Sequence, residues 1–155
     1  MSSIATSSPV ATSSSIQQQS RPASRGRFAR VGLATVVAAT TANTLVYLIG
    51  GAFVPYDPRF LPLANVSGEI VFTLPAAIGA LLLYALLLRF ARKPARTFTI
   101  LSAAVFVVAT IPDFTYIPTV PGATGGQTAI LVLMHIVAAG VIVRMLTTLA
   151  RPQAR

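Results

Sequence analysis

Charged side chains are missing from residues 31–56, 70–88, 97–112 and 114–143, and that spacing constrains the fold more than any motif does. A helix rising 1.5 Å per residue needs roughly 20 mostly apolar residues to cross a hydrocarbon core of about 30 Å. Reading each apolar run with its flanks places membrane spans at about 31–54, 70–90, 97–114 and 128–149; the third is short unless it continues past Pro112. An open sheet or a loop in lipid leaves backbone polar groups unpaired, and the runs lack the alternation of a membrane barrel, so all four are expected to be helices. The predicted fold is therefore all-α, a polytopic membrane protein built as an antiparallel four-helix transmembrane bundle. Composition agrees. Of 155 residues, 54% are hydrophobic and 10% charged, which excludes an ordinary water-soluble globule. With no cysteine, disulfides, thiolate metal sites and cysteine nucleophiles are excluded as well.

The basic residues set the expected orientation. Arg21, Arg25, Arg27 and Arg30 precede the first span, Arg89, Arg92, Lys93 and Arg96 fill the second link, and Arg144, Arg151 and Arg155 belong to the C-terminal end. Only Arg59 lies in another link, whereas the three acids, Asp57, Glu69 and Asp113, all fall at the opposite boundary. By the positive-inside rule both termini are expected to be cytoplasmic, in a multi-pass protein of the plasma membrane. The formal charge of +9 is then a cytoplasmic fringe facing anionic lipid rather than a nucleic-acid surface, since no recognition module accompanies it. Aromatic belts are expected at both boundaries: Phe53, Tyr56, Phe60, Phe72, Phe114 and Tyr116 on the outer side, and Phe28, Tyr84, Phe90 and Phe98 on the inner.

Residues 1–29 read as a Ser/Thr/Gln-rich cytoplasmic tail, disordered because it has too little apolar surface to offset its ordering entropy, and ending in the basic cluster. A secretory leader cleaved near Ala42 is the competing reading, against which the apolar run continues well past that position. Residues 30–150 form the membrane domain and 151–155 a short basic tail. The first outer loop carries Pro55, Pro58 and Pro62; the third link carries Pro118, Pro121 and several glycines before Thr128, the expected N-cap of the last helix.

The basic link Arg89–Leu101 (RFARKPARTFTIL), a third span ending in proline, and Leu133-Met134-His135 within the last span together resemble a family of small four-span bacterial integral membrane proteins of unknown function. The resemblance covers roughly residues 28–150 and implies architecture: four membrane helices with no assigned activity, and no catalytic or binding residues to transfer.

Chemistry is therefore sought among the few polar residues within the spans. Thr40, Asn43 and Tyr47 recur at helical spacing on the first helix, beside a small-residue stripe of Ala34, Ala38 and Ala42. Glu69, Thr73, Ala76 and Ala80 share a face of the second; Ser102, Phe106, Ala109 and Asp113 align on the third; His135, Ala138, Ala139 and Ile142 align on the fourth. His135 lies about 10 Å below the outer boundary, counting from Thr128, and Asn43 about 16 Å, counting from Val54. Glu69, Thr73 and Asp113 lie at or just beneath that surface. Asn43, Glu69, Thr73, Asp113 and His135 are therefore the candidate binding residues, a polar cluster in the outer half of the bundle. The bland readings are Asn43 as interhelical hydrogen-bonding glue, Glu69 and Asp113 as solvated or capping residues, and His135 as a neutral, packed ring bonded to Asn43 or Thr73.

Only one histidine is present, and no Ser-His-Asp order or HExxH spacing occurs, so no catalytic, metal or cofactor site is expected. Asn65-Val66-Ser67 matches a glycosylation sequon that is common by chance. The expected function is that of a small membrane protein acting through helix–helix interactions, as a self-associating bundle or an accessory subunit. The alternative is a small-solute or proton-linked transporter using the outer-half cluster.

Overall fold

The computed structural model describes residues 25–150. Of the tail expected to be disordered over residues 1–29, residues 1–24 lie outside the described residues, as does the basic tail 151–155, whereas residues 25–29 are not a disordered tail but the first turn of a helix that extends the first span. Four helices follow in order: α1 (Arg25–Phe53), α2 (Val66–Phe90), α3 (Pro94–Thr115) and α4 (Gly125–Leu149), with a short 3-10 turn, Ile117–Thr119, between the last two. All four are long and apolar enough to span a bilayer. Among the described residues there is no strand. The protein is a multi-pass helical membrane protein.

Each helix begins earlier than its apolar run, because the polar residues at its start cap or solvate the first turn. α1 starts within the basic cluster, so Arg27 and Arg30 are helical. α2 is capped by Asn65, whose Oδ1 accepts from Gly68 N at 2.9 Å, which occupies part of the sequon's own side chain. α4 is capped by Thr124, whose Oγ1 accepts from Gln127 N at 3.3 Å. The expected cap, Thr128, is instead inside the helix with its hydroxyl donating to Thr124 O. α3 starts at Pro94, whose missing N–H is one the first turn leaves unbonded anyway. It continues past Pro112 to Thr115, so the third span is long enough after all.

Packing runs in a ring. α1 lies against α2 and α4, α3 lies against α4 and less closely against α2, and α1 and α3 do not meet. α1 begins where α4 ends: Arg27 donates from Nη2 to Leu149 O at 3.3 Å, at the electronegative end of α4. This end, shared with the link between α2 and α3, is the basic end; Glu69, Asp113 and the two long links mark the acidic end.

Two apolar cores hold the bundle. Near the basic end, Ala39, Ala77, Tyr84, Phe98, Ile142 and Leu146 form one, with the Tyr84 and Phe98 rings edge to face at 4.9 Å. Near the acidic end, Phe60 and Leu63 fold back from the first link onto Ile130 and Met134. Phe60, Tyr84 and Phe98 are thus fully buried rather than interfacial, whereas Phe53, Phe72, Phe90, Phe114 and Tyr116 are exposed as belts require. On α1 the buried stripe is Thr35, Ala39 and Asn43, one residue off the expected Ala34, Ala38 and Ala42. Alanine content alone did not distinguish two adjacent helix faces.

The links at the acidic end pack on each other. Gly122 has φ +84, a left-handed conformation, and a Cβ there would come within 2.8 Å of Asp57 Cγ. Gln127, fully buried, donates from Nε2 to Pro55 O at 3.2 Å, and Tyr56 donates its hydroxyl to Tyr47 O at 2.7 Å. Burial pushes the Tyr56 phenol upward from its ordinary range, with Tyr47 adding to the effect.

Candidate functional site

The polar stripes of the four helices converge. Asn43 of α1 donates from Nδ2 to Thr73 Oγ1 of α2 at 3.0 Å, and Thr73 in turn donates to Glu69 Oε1, one turn earlier on α2, at 2.9 Å. Thr44 of α1 donates to the other carboxylate oxygen, Oε2, at 3.1 Å. The chain Asn43–Thr73–Glu69–Thr44 therefore ties α1 to α2 with each hydroxyl donating once. Asn43 is the interhelical glue residue its type suggested, yet its Oδ1 is buried with no donor. Glu69 is 2% exposed and Asp113 5%. Both were expected to be solvated or capping; instead, Glu69 is held between the hydroxyls of Thr44 and Thr73, and Asp113 lies against His135.

On the other side of the bundle Asp113 of α3 faces His135 of α4. His135 Nδ1 is 2.9 Å from Leu131 O and 3.2 Å from Asp113 Oδ2. Only the carbonyl contact is aligned as a hydrogen bond; the carboxylate oxygen is at ion-pair distance without hydrogen-bond alignment. Because both neighbours of Nδ1 are acceptors, the proton belongs on Nδ1, which leaves Nε2 as the ring's free position. The expected hydrogen bond from His135 to Asn43 or Thr73 is absent, since α4 turns the ring towards α3.

A cleft of about 620 Å³ joins the two groups. Asn43, Glu69, Thr73, Asp113 and His135 all line it, as do the small stripes of α2, α3 and α4 below them. Its remaining wall is apolar, from Phe72 and Leu83 on α2 to Phe98 and Phe106 on α3. A second cleft, of about 550 Å³, opens among the end of α3, the 3-10 turn and the first turns of α4, and Asp113 lines this one too. Asp113 thus stands between a cleft at the acidic end and the cleft within the bundle. Among the described residues no three His, Asp or Glu stand close enough to hold a metal ion.

Residues 23–152 match the family of unknown function DUF6069. The chain belongs to that family. The match spans the whole membrane domain, in agreement with the resemblance carried by the basic link and Leu133-Met134-His135. No curated protein and no solved structure matches this DUF6069 chain.

Sequence reasoning missed Thr44 and Gln127. Thr44 was hidden by its neighbour, because Asn43 takes the α2-facing position and an adjacent residue points about 100° away on a helix. Gln127 fell before the expected start of α4; a polar side chain three residues after Thr124 was the available capping signal.

Proposed function

We propose that the protein is a small-solute or proton-linked membrane transporter whose cargo binds at the polar cluster near the acidic end, and that it is not an enzyme. The observation that supports this most is the convergence of Asn43, Glu69, Thr73, Asp113 and His135, drawn from all four helices, on a single cleft. Ionisable groups in membrane helices are costly and commonly mark solute or proton pathways. Asp113 borders both clefts, so a proton or solute crossing between them passes the Asp113–His135 pair. The test is thermal unfolding of the purified chain against a panel of amines, amino acids, sugars and anions, with proton movement followed in liposomes holding a pH-sensitive dye. A solute that raises the melting temperature in the wild type but not in Asp113→Asn supports the reading. A panel without effect, together with no proton movement, would overturn it.

A second reading, self-association or service as an accessory subunit, is favoured by α3, the least buried of the four helices, which presents Ile100, Val107, Val108 and Ile111 outward. Single cysteines are cleanly introduced in a chain that has none. Disulfide trapping at Val107→Cys in native membranes, with no trapping at Leu33→Cys on α1, would support association through α3.

The basic end is assigned to the cytoplasmic face of the plasma membrane, against anionic headgroups, with both termini inside. An impermeant thiol reagent applied to intact cells should label Pro58→Cys and Pro121→Cys and spare Lys93→Cys. The reverse pattern would invert the assignment.

A further inference from the structure

Both buried polar atoms of the cleft that lack a hydrogen-bond partner are acceptors. Asn43, 96% buried by its 4% exposure, leaves Oδ1 without a donor, and Asp113 leaves Oδ2 without an aligned one. Glu69 has each carboxylate oxygen meeting a single hydroxyl. The cleft therefore offers two carboxyl groups and an amide oxygen against one imidazole, and no Lys or Arg lines it. A ligand that satisfies this site donates several hydrogen bonds and carries positive charge, which describes a protonated amine.

The shape of the cleft adds a second requirement. Below the polar end it runs between α2 and α3 towards Leu83 and Phe98, about 22 Å along α3 from Asp113. Phe72 and Val105, on opposite sides of it, are 63% and 60% exposed, so the cleft is open to the surrounding lipid. A Cβ built at Gly79, midway along, would meet nothing within 4 Å. Such a volume lies in the usual range for small-molecule sites, but its walls suit a chain rather than a compact polar solute.

From these observations we infer that the cleft takes a single-chain amphiphile with a primary ammonium head, entering sideways between α2 and α3, its head at Asp113, Glu69 and Asn43 and its tail along Gly79 and Phe106. This inference rests on the solute-binding reading above and specifies its cargo.

The test uses the full chain in phosphatidylcholine nanodiscs and a dodecylamine probe carrying a photoreactive diazirine in its tail. Adducts are expected on the half-buried Ser102 and Phe106, in excess of those on the lipid-facing Val108. Unlabelled dodecylamine should lower the adducts at Ser102 and Phe106 about tenfold at a concentration where dodecanol and dodecanoate lower them less than about twofold, the discrimination expected of one charge-assisted contact. Gly79→Leu, which fills the open groove without touching a charged group, should lower the adducts about fivefold at unchanged melting temperature. Asp113→Asn should do the same at the polar end. Equal competition by dodecanol overturns the ammonium head while leaving a cleft that binds solutes. Labelling at Ser102 and Phe106 no greater than at Val108 overturns the lateral amphiphile altogether, and the solute-binding reading then stands or falls on its own thermal panel.

Discussion

In the basic half of the bundle, Tyr84, Phe98 and Leu146 are wholly buried and pack with Ala39, Ala77 and Ile142; in the acidic half, Asn43, Glu69, Thr73 and Asp113 are buried almost as completely. The two halves answer to different energetics. Lipid is as apolar as leucine, so close packing rather than water exclusion holds the basic half together. In the acidic half, an interhelical hydrogen bond returns about 0.6 kcal/mol on average, while an acid placed at the bilayer centre costs about 3 kcal/mol. The cost falls towards the interface, where Glu69 and Asp113 sit, but two acids and a histidine are still a poor way to stabilise a bundle. The basic half is held by packing alone, whereas the acidic half joins its own apolar core of Phe60, Leu63, Ile130 and Met134 to a buried polar cluster whose cost the proposed binding site accounts for.

The largest effect expected from this comparison is at Leu146, fully buried in the basic-half core. Leu146→Ala should lower stability by about 2 kcal/mol, the cavity part of a leucine truncation, because the transfer part is small in lipid. Thermal unfolding in detergent measures it. A cost near zero would show that the core closes around the gap, and close packing would not be what holds this half.

Gly122→Ala should follow, at about 1–2 kcal/mol. The residue sits at positive φ, where a Cβ is strained, and that Cβ would strike Asp57 on the facing link. The loss should appear at the acidic end, as faster proteolysis in the first and third links. Thr73→Val comes next, at about 1 kcal/mol or less, since it removes a hydroxyl that accepts from Asn43 and donates to Glu69. A Thr73→Val cost equal to that of Leu146→Ala would erase the distinction between the halves and make the polar network structural. His135→Gln and His135→Leu should each change stability by less than about 1 kcal/mol while abolishing solute-dependent stabilisation.

Much of this was legible in the sequence, and what was not has a common physical cause. Charge-free runs gave the helices, because no other element satisfies its backbone in lipid, and helical spacing put Glu69 with Thr73 and Ser102 with Asp113 on faces that line the cleft. What spacing does not carry is the contact between helices. His135 and Asp113 were both singled out, but their pairing depends on the rotation of α3 against α4. Phe60 and Leu63 looked like belt and loop residues because nothing local reveals that a proline-rich link folds back onto the bundle.

The smallest expected effect separates the surface of the acidic half from its interior. Asp57 accepts from Arg59 at both carboxylate oxygens and from the Arg59 backbone N–H, and the side-chain hydrogen bond, followed by the backbone one, holds its carboxyl down at about 2 against an ordinary 3.8. A carboxyl lowered in the folded chain contributes stability that is fully present above its unfolded value and is lost as the pH falls from about 4 towards 2. Arg59 is 72% exposed and Asp57 26%, so salt reaches and screens the pair from the Arg59 side and the contribution is small. Asp57→Asn should therefore leave the melting temperature at pH 7 nearly unchanged, and the two curves should draw together further only below pH 4, where the wild type loses the pair. Since Asp57 is ionised throughout the range from pH 5 to 8, any change in cleft binding over that range should persist in Asp57→Asn. If the substitution removed that pH dependence, the Asp57 and Gly122 contact would be part of the site, and the division between a supporting surface and a binding interior would have to be redrawn.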